Sequence, residues 1–379
     1  MSAHTFGPIP GSTILSGIAG KKAIIMAANV RIATVAEGIF RAAKDTDSAV
    51  FMELARSESD LKGGYTGLTP QTFSEKMHAA AKATGFDIWA LHADHITIKK
   101  GDAAEIDGTK QLIDAQVKAG YTSFAIDASH LFNFEGKTVR EELEQNIRVT
   151  SDLARYIRQK MNGKEFGLEV EVGEIGRKDT EGLILTRPEE AVGFIKALNE
   201  NDVHPHVIAI ANGSSHGHTY DANGNVVEQL SIDIPRTKAI AQALRENNLN
   251  VGIAQHGITG TPRDLINLHF PKGDIIKGNV GTFWQDVAFG ILKIYEPALY
   301  KNIQDWTLEK YRPTNPGKKD RQIFDGNCKM AIKEFFKEIY AVDEETNRAM
   351  QAMAYAESLV FFKAFGAYGT ASVIRKSLP

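Results

Sequence analysis

Cysteine is nearly absent from this 379-residue chain: Cys328 stands alone. No intrachain disulfide forms, and a reduced compartment fits. Cys328 also lies far along the chain from the polar motifs described below, so no catalytic thiol is expected. No apolar run approaches the ~18 residues that cross a bilayer. Met1–Gly20 lacks the basic segment, apolar stretch and cleavage site of an export signal. The expectation is a soluble, unexported, cytoplasmic protein with no membrane partner. Nor does one sign of charge dominate: 44 Lys and Arg stand against 47 Asp and Glu, a net charge of −3. That balance argues against a nucleic-acid partner. Neither a Gly-x-Gly-x-x-Gly turn nor a Walker loop follows the first apolar run, which counts against a doubly wound nucleotide-binding sheet.

What is present is an alternation. Short β-rich runs occur at Ala23–Ala28, Ala49–Leu54, Asp87–His92, Tyr121–Asp127, Phe166–Val172, His206–Asn212, Val251–His256 and Ile275–Val280. Between them, segments such as Thr34–Ala43, Thr72–Ala83, Lys110–Ala119, Glu141–Met161, Glu189–Leu198 and Thr237–Asn247 carry apolar residues at helical spacing. Eight strand–helix units in series predict an α/β fold, a (β/α)8 TIM barrel. Helical stretches at Met330–Ile339 and Glu344–Phe362 follow the last strand, with Tyr311–Gln322 as a mobile connector. The expected organisation is a catalytic barrel over residues 1–300 and a C-terminal helical extension over 301–379, packed on the barrel.

Barrels place their chemistry at the C-terminal strand ends, and polar residues cluster there. The third strand runs into His92-Ala-Asp94-His95, and the fourth ends at Asp127-Ala-Ser-His130. The fifth carries Glu169-Val-Glu171, and the sixth leads into Gly213-Ser-Ser-His216-Gly217-His218. The seventh ends in Gln255-His256-Gly257, and the eighth closes with Lys277-Gly-Asn279. Three imidazoles on separate strands, His95, His216 and His256, would make an open divalent-metal site of the catalytic zinc type. Strand alternation aims Asp94 differently from His95, which suits a general base near the metal; an Asp that orients a histidine or caps a helix fits the same position. Glu169 and Glu171 share a strand face, one directed at the metal and the other at a buried ion-pair partner. The turns Gly213–Gly217 and His256–Gly260 combine glycine with Ser or Thr hydroxyls, able to cradle a phosphate or simply to turn the chain.

Together these segments resemble the class II, metal-dependent fructose-bisphosphate aldolases. The resemblance rests on Leu91-His92-Ala-Asp94-His95, on Thr122 to His130 followed by Glu144-Gln-Asn-Ile147, and on Glu169 to Gly173. Gly213 to Gly217, His256 to Gly260 and Lys277 to Asn279 complete it, in order over roughly Ala23 to Thr282. It implies that His95, His216 and His256 bind Zn2+ or another divalent metal, with Glu171 as a nearby or alternative ligand. It implies Asp94 as acid/base at the substrate's C4 hydroxyl, Asn279 as a contact to the enediolate, and Asn29 as a further active-site amide. Gly217, Gly257, Thr259, Lys277 and Thr282 fall on its phosphate-binding and substrate-binding positions. A mobile-loop acid is expected among Glu174, Asp179 and Glu181, with position favouring Asp179.

The sequence departs from the family pattern on the phosphate side. An acidic residue after the eighth strand is Gly281, the second glycine of a His-Gly-Gly-Ser-Gly element is Ile258, and Arg56-Ser-Glu58-Ser replaces a serine with paired glycines. Arg56 or Lys329 is the candidate cation for a distal phosphate. The expected activity is cleavage of fructose 1,6-bisphosphate, a phosphorylated sugar, to dihydroxyacetone phosphate and glyceraldehyde 3-phosphate, by a homo-oligomer, a dimer by resemblance. The alternatives are an aldolase or epimerase for another ketose phosphate or sugar acid, and a silent barrel that stabilises a partner.

Overall fold

Parallel strands need crossovers of a dozen residues or more, and a right-handed series of such crossovers, repeated eight times, closes on itself. The computed structural model describes residues 6–174, 176, 182–215, 217–221 and 224–378. Its barrel strands are β1 (Ile25–Asn29), β2 (Val50–Ala55), β3 (Trp89–Thr97), β4 (Ser123–Asp127), β5 (Gly167–Glu171), β6 (Val207–Ala209), β7 (Gly252–Gln255) and β8 (Ile275–Val280). All neighbours pair in parallel, and β8 returns to β1 with Lys277 opposite Ile25 and Asn279 opposite Ala27. The chain is therefore a closed (β/α)8 barrel with a helical C-terminal extension. The crossover helices start on polar caps: Thr69, Asp102, Thr138 and Asp233 accept from the N–H groups of Thr72, Glu105, Glu141 and Arg236. At the opposite end from the strand termini that matter for chemistry, the helix Gly11–Gly17 plugs the barrel, its Gly11 N–H bonded to Thr122 O at 3.0 Å.

β3 runs five residues beyond its expected end because its backbone is irregular there. The register against β4 shifts between Ala93 and Ile96, and His95 has φ 39°. A bulge of this kind re-aims side chains. In place of the alternation that would turn Asp94 and His95 to opposite faces, both reach the barrel mouth.

The extension differs from expectation in detail. Met330–Ile339 is broken into a 3-10 turn, Cys328–Met330, and two short helices, Ala331–Glu334 and Phe336–Tyr340. The connector at Tyr311–Gln322 is shorter than expected. Tyr311 ends one helix, Asp320 begins the next, and Arg312 bridges to Asp320 at 2.9 Å. Residues 300 and 301 both lie within the helix Pro297–Tyr311. The long helix Glu344–Phe365 packs against Ala36–Asp45, and Phe365 O accepts from Ile24 N–H at 3.0 Å, tying the extension to the entry of β1.

That packing depends on one residue without a side chain. A Cβ on Gly38 would lie 2.1 Å from Gln351 O and 2.8 Å from Tyr355 N, both backbone atoms that cannot swing aside. Gly38→Val is expected to force the two helices apart at a cost of about 1–3 kcal/mol, the usual penalty of overpacking. Thermal unfolding of the variant checks it, and an unchanged midpoint would show that the helices are not in close contact at this point.

Candidate active site

The C-terminal strand ends open into a cleft of about 790 Å³. At its floor two imidazoles meet. His95 Nε2 and His256 Nδ1 lie 2.8 Å apart, and Asp94 completes a group whose ligand atoms all fall within 4.8 Å of one another. Each ring is held from behind by carboxylates. His256 Nε2 faces Glu169 Oε1 at 2.7 Å, while His95 Nδ1 faces Glu171 Oε2 at 3.2 Å and Asp127 Oδ2 at 3.4 Å. Carboxylates behind imidazoles fix the tautomer and turn the other nitrogen inward, an arrangement typical of metal-binding histidines. Two imidazoles and a carboxylate suit a divalent cation such as zinc.

The field at the floor points the same way. Burial works to raise Asp94, but His95, Lys277 and His256 outweigh it and hold the carboxyl at about 2. Burial also opposes a proton on His95, yet Asp94 and Glu171 raise that imidazole well above its ordinary value. Glu171 is raised by burial and by Asp127. A field that favours a proton on His95 equally favours a bound cation.

Beneath the floor lies a sealed polar layer. Lys277 is fully buried, with Nζ 2.8 Å from Glu169 Oε2, 3.2 Å from Glu53 Oε2 and 3.0 Å from Asn279 Oδ1. Asn279 Nδ2 donates to Glu53 Oε1 at 2.9 Å and to Asp94 Oδ1 at 3.0 Å. Asn29 Nδ2 donates to the other Asp94 oxygen, Oδ2, at 2.9 Å. His92 shares this layer, and burial together with Lys277 lowers its imidazole to about 3, so it is neutral.

The wall toward the helix Thr282–Tyr295 carries a cation that sequence patterns did not single out. Arg31 follows Asn29 at the end of β1. Its Nε donates to Glu58 at 2.7 Å and its Nη1 to Thr282 Oγ1 at 3.2 Å and Gln285 Oε1 at 3.1 Å. A Cβ on Gly281 would stand 3.4 Å from both Arg31 Nη2 and Asn29 Oδ1. The glycine at the family's acidic position therefore leaves room for a guanidinium. Glu58 also accepts from Asn29, the Ala55 N–H and Tyr65, which explains the altered loop after β2. Nearby Thr259 Oγ1 accepts from Phe283 N–H at 3.2 Å, leaving its own proton to point elsewhere.

Among the expected site residues, Asn29, Arg56, Asp94, His95, Glu171, Gly217, His256, Gly257, Thr259, Asn279 and Thr282 line this one cleft. His216 and Asp179 lie outside the described residues, as does Glu181. Three expectations need correction. Lys277 is not placed to touch substrate, because it is sealed below the floor by its three acceptors. Asn279 lines the cleft, but both of its N–H groups are engaged by Glu53 and Asp94, so in this arrangement it acts on Asp94. Cys328 is not remote, since its sulfur accepts from Gln285, which lines the cleft, at 3.3 Å. Burial pushes that thiol up to about 12, which leaves it unreactive. Of the two candidate cations, Arg56 donates to Thr97 O and Thr109 Oγ1, each at 2.8 Å, while Lys329 lines the cleft beside Arg31 and Tyr65. Arg31 and Glu58 were legible only as an Arg two residues past a strand-end Asn and as a departure from a motif.

Known proteins are similar to this chain in different degrees. A family model described as fructose-bisphosphate aldolase class-II matches residues 11–348. A fructose-bisphosphate aldolase of Helicobacter pylori is 26% identical over 262 residues, which span 66% of this chain and 71% of the relative. A D-tagatose-1,6-bisphosphate aldolase subunit of Salmonella paratyphi B is 31% identical over 91 residues, 22% of each chain. Among solved structures, the fructose-bisphosphate aldolase of Campylobacter jejuni superposes with a TM-score of 0.62 at 19% identity, over 96% of this chain and 97% of that one, a likeness of fold. Since the family match runs from the plug helix through every barrel strand into the extension, the chain belongs to the class II fructose-bisphosphate aldolases, a family of lyases.

Proposed function

We propose that this chain catalyses reversible, divalent-metal-dependent aldol cleavage of a phosphorylated ketose, with fructose 1,6-bisphosphate as the first candidate. The observation that carries the reading is the convergence of His95 and His256 on one point beside an Asp94 held by two amides. A metal held by those imidazoles, with His216 as the third that the resemblance implies and Glu171 as an alternative, would supply Lewis acidity toward the substrate's oxygens. Asp94, ionised at neutral pH, accepts the proton of the C4 hydroxyl as the C3–C4 bond breaks and the C4 carbonyl forms. Asn29 and Asn279 each occupy one of its oxygens and keep the carboxylate from rotating away. The electron pair released toward C3 is then protonated by an acid of the loop that follows β5. Asp179 is the choice by position, and Glu174 is the member seen in the cleft wall, 3.4 Å from His130.

On the phosphate side, Gly217, Gly257, Thr259 and Thr282 offer backbone N–H groups and hydroxyls, and Arg31 adds a positive charge against them. Thr282 Oγ1 accepts from Arg31, so its proton is directed away from the guanidinium. This wall differs from the family pattern at Gly281 and Glu58, both of which adjoin Arg31, and that favours a second reading: another ketose bisphosphate, such as the C4 epimer tagatose 1,6-bisphosphate, cleaved to the same two triose phosphates.

Purified protein supplied with zinc and each ketose bisphosphate in turn is expected to release triose phosphate. A chelator should stop it, and added zinc should restore it. No release from either sugar sinks the reading. Asp94→Ala is expected to lower turnover about 10²- to 10⁴-fold, the usual contribution of a general acid/base group; near-normal turnover removes Asp94 from its role. Arg31→Met is expected to raise KM for a bisphosphate about 10- to 100-fold, as loss of a charged hydrogen bond implies. Its zinc content should stay at the wild-type level, and an unchanged KM would show that the guanidinium does not face the phosphate.

A further inference from the structure

Among the described residues Lys277 is the one fully buried ammonium at the barrel centre, and the proposed cleavage makes no use of it. Its Nζ donates to Asn279 Oδ1 at 3.0 Å and is ion-paired with Glu169 Oε2 at 2.8 Å and Glu53 Oε2 at 3.2 Å. An ammonium has no further donor and no acceptor at all, so each partner must present an oxygen to it.

Two consequences run in opposite directions from that requirement. Toward β8 and β3, the Asn279 amide cannot flip, because its NH2 group would then abut the ammonium. Its NH2 therefore faces Asp94 Oδ1 at 3.0 Å and Glu53 Oε1 at 2.9 Å. Toward β5 and β7, Lys277 occupies Glu169 Oε2 and leaves Oε1 to face His256 Nε2 at 2.7 Å. Glu169 then accepts from Nε2–H, which turns His256 Nδ1 toward His95. One cation thus sets an amide on one side and an imidazole tautomer on the other.

We infer that Lys277 is a positioning residue that couples the acid/base carboxylate to the metal-binding imidazoles, through Asn279 to Asp94 and through Glu169 to His256. The inference rests on the functional reading above, and zinc affinity gives it a readout of its own. Lys277→Met keeps the length of the side chain and removes the cation. Titration against a chromophoric chelator is expected to show zinc bound about 10- to 100-fold more weakly than in the wild type, the usual effect of losing a group behind the ligands. At saturating zinc, kcat should remain about 10²-fold low because Asp94 is no longer held, while KM changes little. Removing one charge from a buried cluster endangers folding, so Glu169→Gln is the second variant. It removes the charge between Lys277 and His256 while keeping an amide oxygen there, and is expected to lose zinc affinity to the same extent but, at saturating zinc, to lose less kcat than Lys277→Met, which also cuts the Asn279 arm.

Wild-type zinc affinity in either variant would overturn the inference and leave the aldolase reading standing. A wild-type protein that binds no zinc would overturn both. Equal losses of kcat at saturating zinc in the two variants would also overturn it, because the two arms would not then be separate.

Discussion

Ionised groups buried inside a barrel are tolerated only when each finds a partner, and here that constraint organises the whole interior. Glu53 and Glu169 below the cleft floor converge with Asp94 at it, and Lys277 with the amides of Asn29 and Asn279 answers them. Burial and the nearby Asp94 drive Glu53 well above the ordinary carboxylate range, with Lys277 opposing. Asp94 lies on the other side of the balance. It is surrounded by His95, Lys277 and His256 and stays ionised, which is the state its proposed role requires. Two carboxylates a short distance apart are thus pushed in opposite directions by their neighbours, a recurring arrangement in acid/base sites.

The scaffold makes this possible through one local irregularity. A regular strand would send Asp94 and His95 to opposite faces. The shifted register and the positive φ at His95 bring both to the mouth of the barrel. Strain at a non-glycine residue is sustained when the surroundings over-determine it. His95 is held by Asp127 and Glu171 on one side and by His256 on the other.

The cleft wall around Arg31 shows how an altered motif can remain coherent. Gly281 and Glu58 both depart from the family pattern, and Arg31 joins them: a Cβ at Gly281 would meet its Nη2 at 3.4 Å, and Glu58 accepts from its Nε at 2.7 Å. Arg31 also reaches Thr282 and Gln285 at the start of the helix Thr282–Tyr295. Glu58 in turn links Arg31 to Asn29, whose amide also reaches Asp94.

The barrel, the order of its strands and a number of the polar residues that line the cleft were legible in the amino-acid order alone. Strand–helix alternation is a local periodicity, and the barrel geometry gathers strand ends at one mouth whatever their sequence separation. Asp94, His95 and His256 were found in that way, whereas Asn29 and Thr282 came from the family resemblance. The roles of Lys277 and Asn279 were not legible, because a Lys at a strand end reads alike whether its chain rises to solvent or sinks to three acceptors. Arg31 and Glu58 escaped for a related reason: their importance comes from partners 251 and 29 residues distant, Thr282 and Asn29. Periodicity names the elements, but only the packed chain decides which polar groups share water-free space, and there each donor's partner is set by geometry rather than by sequence.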